Sequence, residues 1–347
     1  MDDRWFRPGD HGRYVAMRNY FNIVVSTVVL LTLAGCNNST TRELPAPTAE
    51  PVVVAREVTV AHEGVRMKLR RKTLSNTKAK SSNTLVLLPS ATYSTSPNWD
   101  LQYKDNSLME FFAESGWVVY AIDLPGYGKS DNPPNPETFG AIETANYINA
   151  AVDYICEQHQ IKSINLLGWS WGAQAAGRYA NQYPKRVNKL VLYGFTYKMR
   201  LPQNVLPKEP FRKIDFEGAM SDFIDGCYED DLPEEYANAV LDADSDRLAP
   251  AGPIHDFVNR LPIVQPTQLP MSVLVLCGQY ELEQPPDMDG DYSEHFLARR
   301  NDLDAFCRQL PLGKDKLAVV DGGGHAVHLE RPKDLWRKIV LEFFQTE

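Results

Sequence analysis

Ser170 lies in the stretch INLLGWSWGAQAAG, residues 164–177, between two tryptophans that are themselves bracketed by Gly168 and Gly172. A serine hydroxyl becomes a nucleophile only when a base takes its proton, and it must project from the backbone for a substrate to reach it. The pattern Gly-x-Ser-x-Gly suits both demands. A sharp strand-to-helix turn holds the serine in a strained conformation, and glycines two residues to either side keep the space clear. The start of the following helix aims backbone N–H groups at the same point, so Trp171 N–H is the expected donor to a developing oxyanion. Alone, the pentapeptide proves little: with Gly and Ser each near 7% of residues, a chain this long contains it by accident on the order of one time in ten. The flanking elements must decide.

Those elements alternate. INLLGW is a fully apolar run, the mark of a strand buried on both faces, and GAQAAGRYANQYP after it reads as a helix. Ala173, Ala175, Ala176 and Gly177 are small enough for that helix to approach the sheet closely. Two short strands are expected near Glu57–His62 and Val65–Arg71, with the Glu63-Gly64 turn between them. Buried strands follow at TLVLLP from Thr84, at Trp117–Ile122, Lys189–Phe195, Ser272–Gly278 and Leu317–Gly322. Helices are expected at LMEFFAES, at Thr138–Gln158 with Ile142, Ala145, Ile148, Val152 and Ile155 inward, and at Ser293–Leu310. The last helix is expected to bury Leu335, Trp336, Ile339, Val340, Phe343 and Phe344 behind Pro332. This order predicts an α/β fold with a mainly parallel eight-stranded sheet flanked by helices. Ligand sites in such sheets form at the carboxyl ends of the strands, where Ser170 falls. Trp169 is expected to wall the substrate pocket and Trp171 to pack beneath the turn as a core aromatic.

The chain has 347 residues and a net charge of −9, and no stretch concentrates Lys and Arg. That argues against nucleic acid as a partner; a small-molecule substrate fits it, but charge does not identify one. At the N-terminus, MRNYFNIVVSTVVLLTLAGC gives an arginine, an apolar run and small residues before Cys36, the order of a secretory signal. The apolar run from Ile23 to Leu33 is about half the roughly 20 residues a spanning helix needs. Leu33-Ala34-Gly35-Cys36 resembles a bacterial lipobox, which implies that Cys36 carries a lipid and becomes the mature N-terminus. Met17 is an alternative start. Residues 1–36 are therefore expected to be a signal peptide, 37–52 a proline-bearing tether and 53–347 the folded domain. The resulting localisation is export, with a lipid anchor on a bacterial membrane facing the periplasm or the exterior. Of the other cysteines, Cys156 and Cys277 are expected as packed thiols, and Cys227 with Cys307 is a candidate disulfide that the sequence leaves open; their spacing fits no metal site.

The chain resembles the α/β-hydrolase fold superfamily from about Val52 to its end. Besides the Ser170 turn, DLPGYGKSD (Asp123–Asp131) is similar to that family's Asp-x-Pro-Gly-x-Gly-x-Ser loop, and YPKRVNKLVLYG to the segment leading into its sixth strand. The resemblance implies a catalytic triad completed by a histidine after the last strand. In VVDGGGHAVHLERP, Gly324-His325 with Glu330 and Pro332 matches the family pattern, which assigns the base to His325 and leaves His328 as a surface or packing residue. The acid usually sits in a Gly-x-x-Asp segment. Here Gly278 is followed by Glu281, with Glu283 and Asp287 as competitors. The chain departs from the family's His-Gly pair after the third strand, where it reads Pro89-Ser90. By position Ala91 N–H is the second oxyanion donor, and Ser90 and Thr92 border the pocket.

The same resemblance places a helical cap at about 196–270, dense in acids in this chain. It implies a serine hydrolase that cleaves a carboxylic ester or lactone through an acyl-enzyme, with no metal and no organic cofactor. An aminopeptidase of the proline-iminopeptidase type is the alternative, since cap carboxylates would attract a free amino terminus. A non-catalytic binding protein on the same fold is the third reading.

Overall fold

The computed structural model describes residues 50–229, 231–244, 246–285, 288, 290–311 and 317–346. The signal segment, Cys36, the tether to residue 49 and Asp287 lie outside the described residues. The strands, in chain order, are β1 (Val53–His62), β2 (Val65–Leu74), β3 (Thr84–Leu88), β4 (Val118–Asp123) and β5 (Ile164–Trp169). After them come β6 (Val187–Tyr193), β7 (Phe211–Lys213), β8 (Leu248–Pro250), β9 (Ser272–Gly278) and β10 (Leu317–Val320). Among the described residues, eight of these form one sheet in the order β1-β2-β4-β3-β5-β6-β9-β10. The chain thus has the α/β-hydrolase fold. Pairing is antiparallel from β1 through β2 to β4 and parallel across the rest.

The helices are α1 (Thr95–Trp99), α2 (Leu108–Glu114), α3 (Ala141–His159), α4 (Trp171–Gln182), α5 (Phe216–Met220), α6 (Leu232–Ala243), α7 (Gly252–His255), α8 (Ser293–Cys307) and α9 (Lys333–Gln345). Strands β3 and β5 are buried at every position, as strands covered on both faces must be. The Glu63-Gly64 turn joins β1 to β2 with both residues at positive φ (49° and 82°), the twist that a two-residue hairpin favours.

Several boundaries differ from the pattern in the sequence. Strand β10 stops at Val320 because Gly322 takes a φ of 70° and turns the chain. Helix α3 begins at Ala141, behind Gly140, and not at Thr138. Ile142 and Leu335, both expected inside, are 41% and 45% exposed. Each sits beside the buried stripe of its helix, which runs through Ala141, Ala145, Ile148 and Val152 in α3 and through Lys333, Trp336 and Val340 in α9. Cys227 is a buried free thiol, so it forms no disulfide with Cys307. Residues 196–270 are not purely helical: β7 and β8 pair antiparallel within them, and a π-helical turn spans Asp256–Arg260.

Close backbone approach decides how β5 passes into α4. A Cβ on Gly168 would stand 2.0 Å from Gly172 O, and one on Gly172 would stand 2.2 Å from Pro89 O. Gly177 meets a side chain instead, at 2.6 Å from Val264 Cγ2. Backbone cannot retreat as a side chain can, so the two kinds of site differ in cost. Gly172→Ala is expected to destabilise by at least about 3 kcal/mol and Gly177→Ala by clearly less. Urea unfolding of the two variants checks this, and equal losses would contradict it.

Candidate active site

Ser170 sits between β5 and α4 with φ 57° and ψ −120°, a backbone conformation that costs a non-glycine residue about 1–3 kcal/mol. Its N–H donates to Tyr193 O at 2.7 Å, which ties the turn to the end of β6. Its side chain accepts no capping bond from α4 and is partly exposed, so the hydroxyl is left for other partners.

Glu281 and His325 come from the loops after β9 and β10. His325 Nδ1 lies 2.8 Å from Glu281 Oε1. A carboxylate accepts, so Nδ1 carries the proton and Nε2 is left with its lone pair. Glu281 is buried. Its Oε1 also accepts from Arg299 Nη2 at 2.7 Å, and its Oε2 from Gly278 N–H at 3.2 Å. Burial alone would push this carboxyl up, but the positive charges of His325 and Arg299 outweigh it and hold it below the usual range. His325 answers in kind: burial pulls it down, and Glu281 more than offsets that, so its net shift is upward. No hydrogen bond joins Ser170 Oγ to His325 among the described residues. Apo sites commonly hold such groups apart until substrate orders them.

The backbone of the histidine is pinned from below. His325 O accepts from Tyr193 Oη–H at 2.7 Å and from Trp169 Nε1–H at 3.0 Å. Trp169 therefore does not wall an open pocket. Its ring has no exposed surface and stacks on Tyr193, with 14° between the planes. Gly194, at φ 60°, lets the imidazole lie close above β6, where a Cβ would come within 2.8 Å of His325 Cε1. His328 is fully buried among Trp99, Trp169, Tyr193 and Trp336. Its Nε2 donates to Asn98 O at 3.0 Å, and burial pushes it down to about 3, so it stays neutral. Glu330 Oε2 accepts from Gly324 N–H beside the base, and burial pushes this carboxyl up to about 8.

Trp171 packs beneath the turn, stacked on Tyr127, and donates its Nε1–H to Asp256 Oδ2 at 2.8 Å. Asp256 also accepts from Ala141 N–H at 2.7 Å, and burial pushes it up to about 6. The loop after β3 faces the turn. Ser90 is buried near Asn98 Nδ2 at 3.4 Å, while Ala91 O accepts from Tyr127 Oη–H at 2.9 Å and from Arg212 Nη2–H at 2.6 Å. Thr92 is partly exposed beside the same arginine. Residues 196–270 cover this region. Tyr236 Oη–H donates to Asn98 Oδ1 at 2.7 Å, and a Cβ on Gly324 would lie 3.1 Å from Ile224 Cδ1. Asp222, close enough to feel the charge of His325, is pushed up to about 6 by burial. Glu283 faces Arg300 at 3.5 Å and is exposed. Among the described residues no group of three His, Cys, Asp or Glu side chains is placed to hold a metal ion.

Sequence reasoning missed Tyr193, Arg299, Asp256 and Arg212. Tyr193 lay in a strand and read as core, and Arg299 lay on a helix with no apolar period. Nothing local marks either as a partner of a loop more than a dozen residues away.

Comparison with known proteins supplies kinship. Residues 83–239 match the family described as alpha/beta hydrolase fold. A Bacillus subtilis protein assigned as a 2-succinyl-6-hydroxy-2,4-cyclohexadiene-1-carboxylate synthase is 26% identical over 243 residues, 64% of this chain and 79% of that one. A poly(3-hydroxyalkanoate) depolymerase of Ectopseudomonas oleovorans is 36% identical over 74 residues, 21% of this chain and 24% of that one. An Escherichia coli 2-hydroxy-6-oxononadienedioate/2-hydroxy-6-oxononatrienedioate hydrolase is 37% identical over 81 residues, 23% of this chain and 26% of that one. The chain thus spans only about a quarter of the latter two. Among solved structures, a serine hydrolase of carbazole degradation superposes with a TM-score of 0.58 at 16% identity, covering 84% of this chain and 98% of that one. A thermophilic esterase from Thermogutta terrifontis gives 0.57 at 18% identity, covering 84% and 100%. The chain thus has the fold of these proteins and is similar to hydrolases that share it, which supports a hydrolase.

Proposed function

We propose that the protein hydrolyses a carboxylic ester or lactone of a small organic substrate through an acyl-enzyme on Ser170. The observation that carries this reading is the shared sheet edge. There a serine held at an exposed strained turn meets the loop of an imidazole whose Nδ1 proton is fixed by a buried carboxylate. His325 Nε2 takes the proton as Ser170 Oγ bonds to the carbonyl carbon. Trp171 N–H and Ala91 N–H hold the oxyanion. The bond to the leaving alcohol breaks, and that oxygen takes the proton from His325. Water then gives a proton to His325 and attacks the acyl carbon, releasing the acid and returning the hydrogen to Ser170. These steps use side chains and water alone. Pinning of His325 O by Trp169 and Tyr193 keeps the ring above β6 while its charge changes.

A second reading, aminopeptidase action, draws on Asp222, a carboxyl of the 196–270 segment that stands near His325. Hydrolysis of p-nitrophenyl butyrate and of aminoacyl naphthylamides separates the two. Ser170→Ala is expected to lose at least about 1,000-fold in kcat/KM on the ester. Rates equal to wild type would reject the catalytic assignment, and amide turnover without ester turnover would favour the peptidase.

The base must be neutral to act, so kcat/KM rises as pH climbs through the pKa of His325. Glu281 raises that pKa, so the rising limb lies above the ordinary histidine value near 6.5. Glu281→Gln is expected to move the limb to lower pH and to cut the plateau by roughly 100- to 10,000-fold. A limb that stays in place would show that Glu281 is not the partner.

We also propose export with a lipid on Cys36. The basis is the lipobox-like end of the apolar segment and the polar, proline-bearing stretch after it. Cys36→Ser is expected to move the protein from the membrane to the soluble fraction, and unchanged partitioning would remove the anchor.

A further inference from the structure

Several arginines packed into this protein face a carboxylate. Arg260 faces Glu143 and Asp256, Arg299 faces Glu281, and Arg337 faces Asp105 and Asp334. Arg212 does not. It reaches from β7 to the loop after β3, where Nη2–H donates to Ala91 O at 2.6 Å and lies 3.3 Å from Thr92 Oγ1. Nη1 has only a long 3.4 Å contact with the same hydroxyl, and Nε is buried without a hydrogen-bond partner. Every one of these acceptors is neutral.

After burial, the ionisable groups that act most on its charge are the phenols of Tyr127 and Tyr93. Burial pushes both phenols well up, so neither supplies negative charge at ordinary pH. Burial also pulls the guanidinium down from its usual value. Among the described residues, no carboxylate pairs with this cation. Arg212 is half-buried with its Nε shut off from water, and an anion meeting the guanidinium would be favoured there.

The location bears on what that anion is. The loop from Pro89 to Thr92 presses on the Ser170 turn, so closely that a Cβ on Gly172 would touch Pro89 O. Arg212 holds the carbonyl of Ala91, the residue whose N–H is assigned to the oxyanion. We propose that Arg212 binds a carboxylate carried by the substrate, which makes the enzyme selective for esters of short dicarboxylic acids with one acid left free. The planar fork of a guanidinium matches a carboxylate, and the under-used Nη1 provides the donor. The chemistry of this inference rests on the ester-hydrolase reading; the anion site does not.

Two measurements test it. The first compares p-nitrophenyl butyrate with the mono-p-nitrophenyl esters of succinate and glutarate. Wild type is expected to prefer at least one acid-bearing ester by tenfold or more. In Arg212→Gln that preference falls on the order of 100-fold, and Arg212→Lys recovers part of it. A preference that Arg212→Gln leaves unchanged, including equal losses on both kinds of ester, would assign the arginine to holding the loop and overturn the proposal. The second measurement needs no turnover. Titration calorimetry with succinate and glutarate is expected to show binding to wild type that weakens on the order of 100-fold in Arg212→Gln. No binding to wild type, or equal binding of the neutral diamides, would overturn the proposal even if ester hydrolysis were confirmed. Failure of ester hydrolysis with the binding intact would strike only the function proposed above.

Discussion

A serine held at positive φ between a buried strand and a helix is the constraint on which this site is built. The conformation is unfavourable in itself, so something must hold it. Backbone contact does so: Gly168 lies against Gly172, and Gly172 lies against Pro89, at distances that admit no side chain. The hydrogen bond from Ser170 N–H to Tyr193 O fixes the turn to the neighbouring strand. Three strands, β3, β5 and β6, thereby meet at one point, and each contributes a loop to the site. The strain is offset by burial of the sheet on both faces, and it leaves the hydroxyl pointing outward.

Charge is arranged around that point in layers. Behind the imidazole stand a buried carboxylate and an arginine, which keep the carboxylate ionised against its burial. Below it stand neutral aromatic rings and His328, which burial keeps uncharged. The upper side, from residues 196–270, offers a partly neutralised acid at Asp222 and a cation at Arg212. The protonation of the imidazole is thus set from behind and its backbone position from below, while the substrate carboxylate proposed above would meet Arg212 on the upper side.

Much of the fold was legible because strands covered on both faces must be apolar throughout. INLLGW and TLVLLP announce themselves in a way that half-exposed elements do not. Errors fell at the edges of helix faces: the apolar period of α3 and α9 includes Ile142 and Leu335, but the buried stripes run beside them, through Ala141 and Ala145 and through Lys333 and Trp336. Within the site, the Ser170 turn was legible because its geometry requires glycine at fixed spacing. Trp169 was misplaced because a large aromatic beside a reactive serine suits a pocket wall as well as a buttress. Only the carbonyl of residue 325, 156 positions away, makes it a buttress. Arg212 was unreadable for a related reason. A cation in a run of acids looks paired, and only the folded chain shows that its partners are carbonyl and hydroxyl oxygens.

The carboxyl of Asp256 joins three segments: the indole of Trp171 beneath the nucleophile, the first N–H of α3, and its own π-helical turn. One part of the 196–270 segment is thereby riveted to the body beside the reactive turn, and other parts are tied on through Arg212 to Ala91 O, Asp244 to Gly128 N–H, Cys227 O to Arg331 N–H and Tyr236 to Asn98. One carboxyl thus ties the floor of the reactive turn to the segment that covers it, so that removing it would loosen both together.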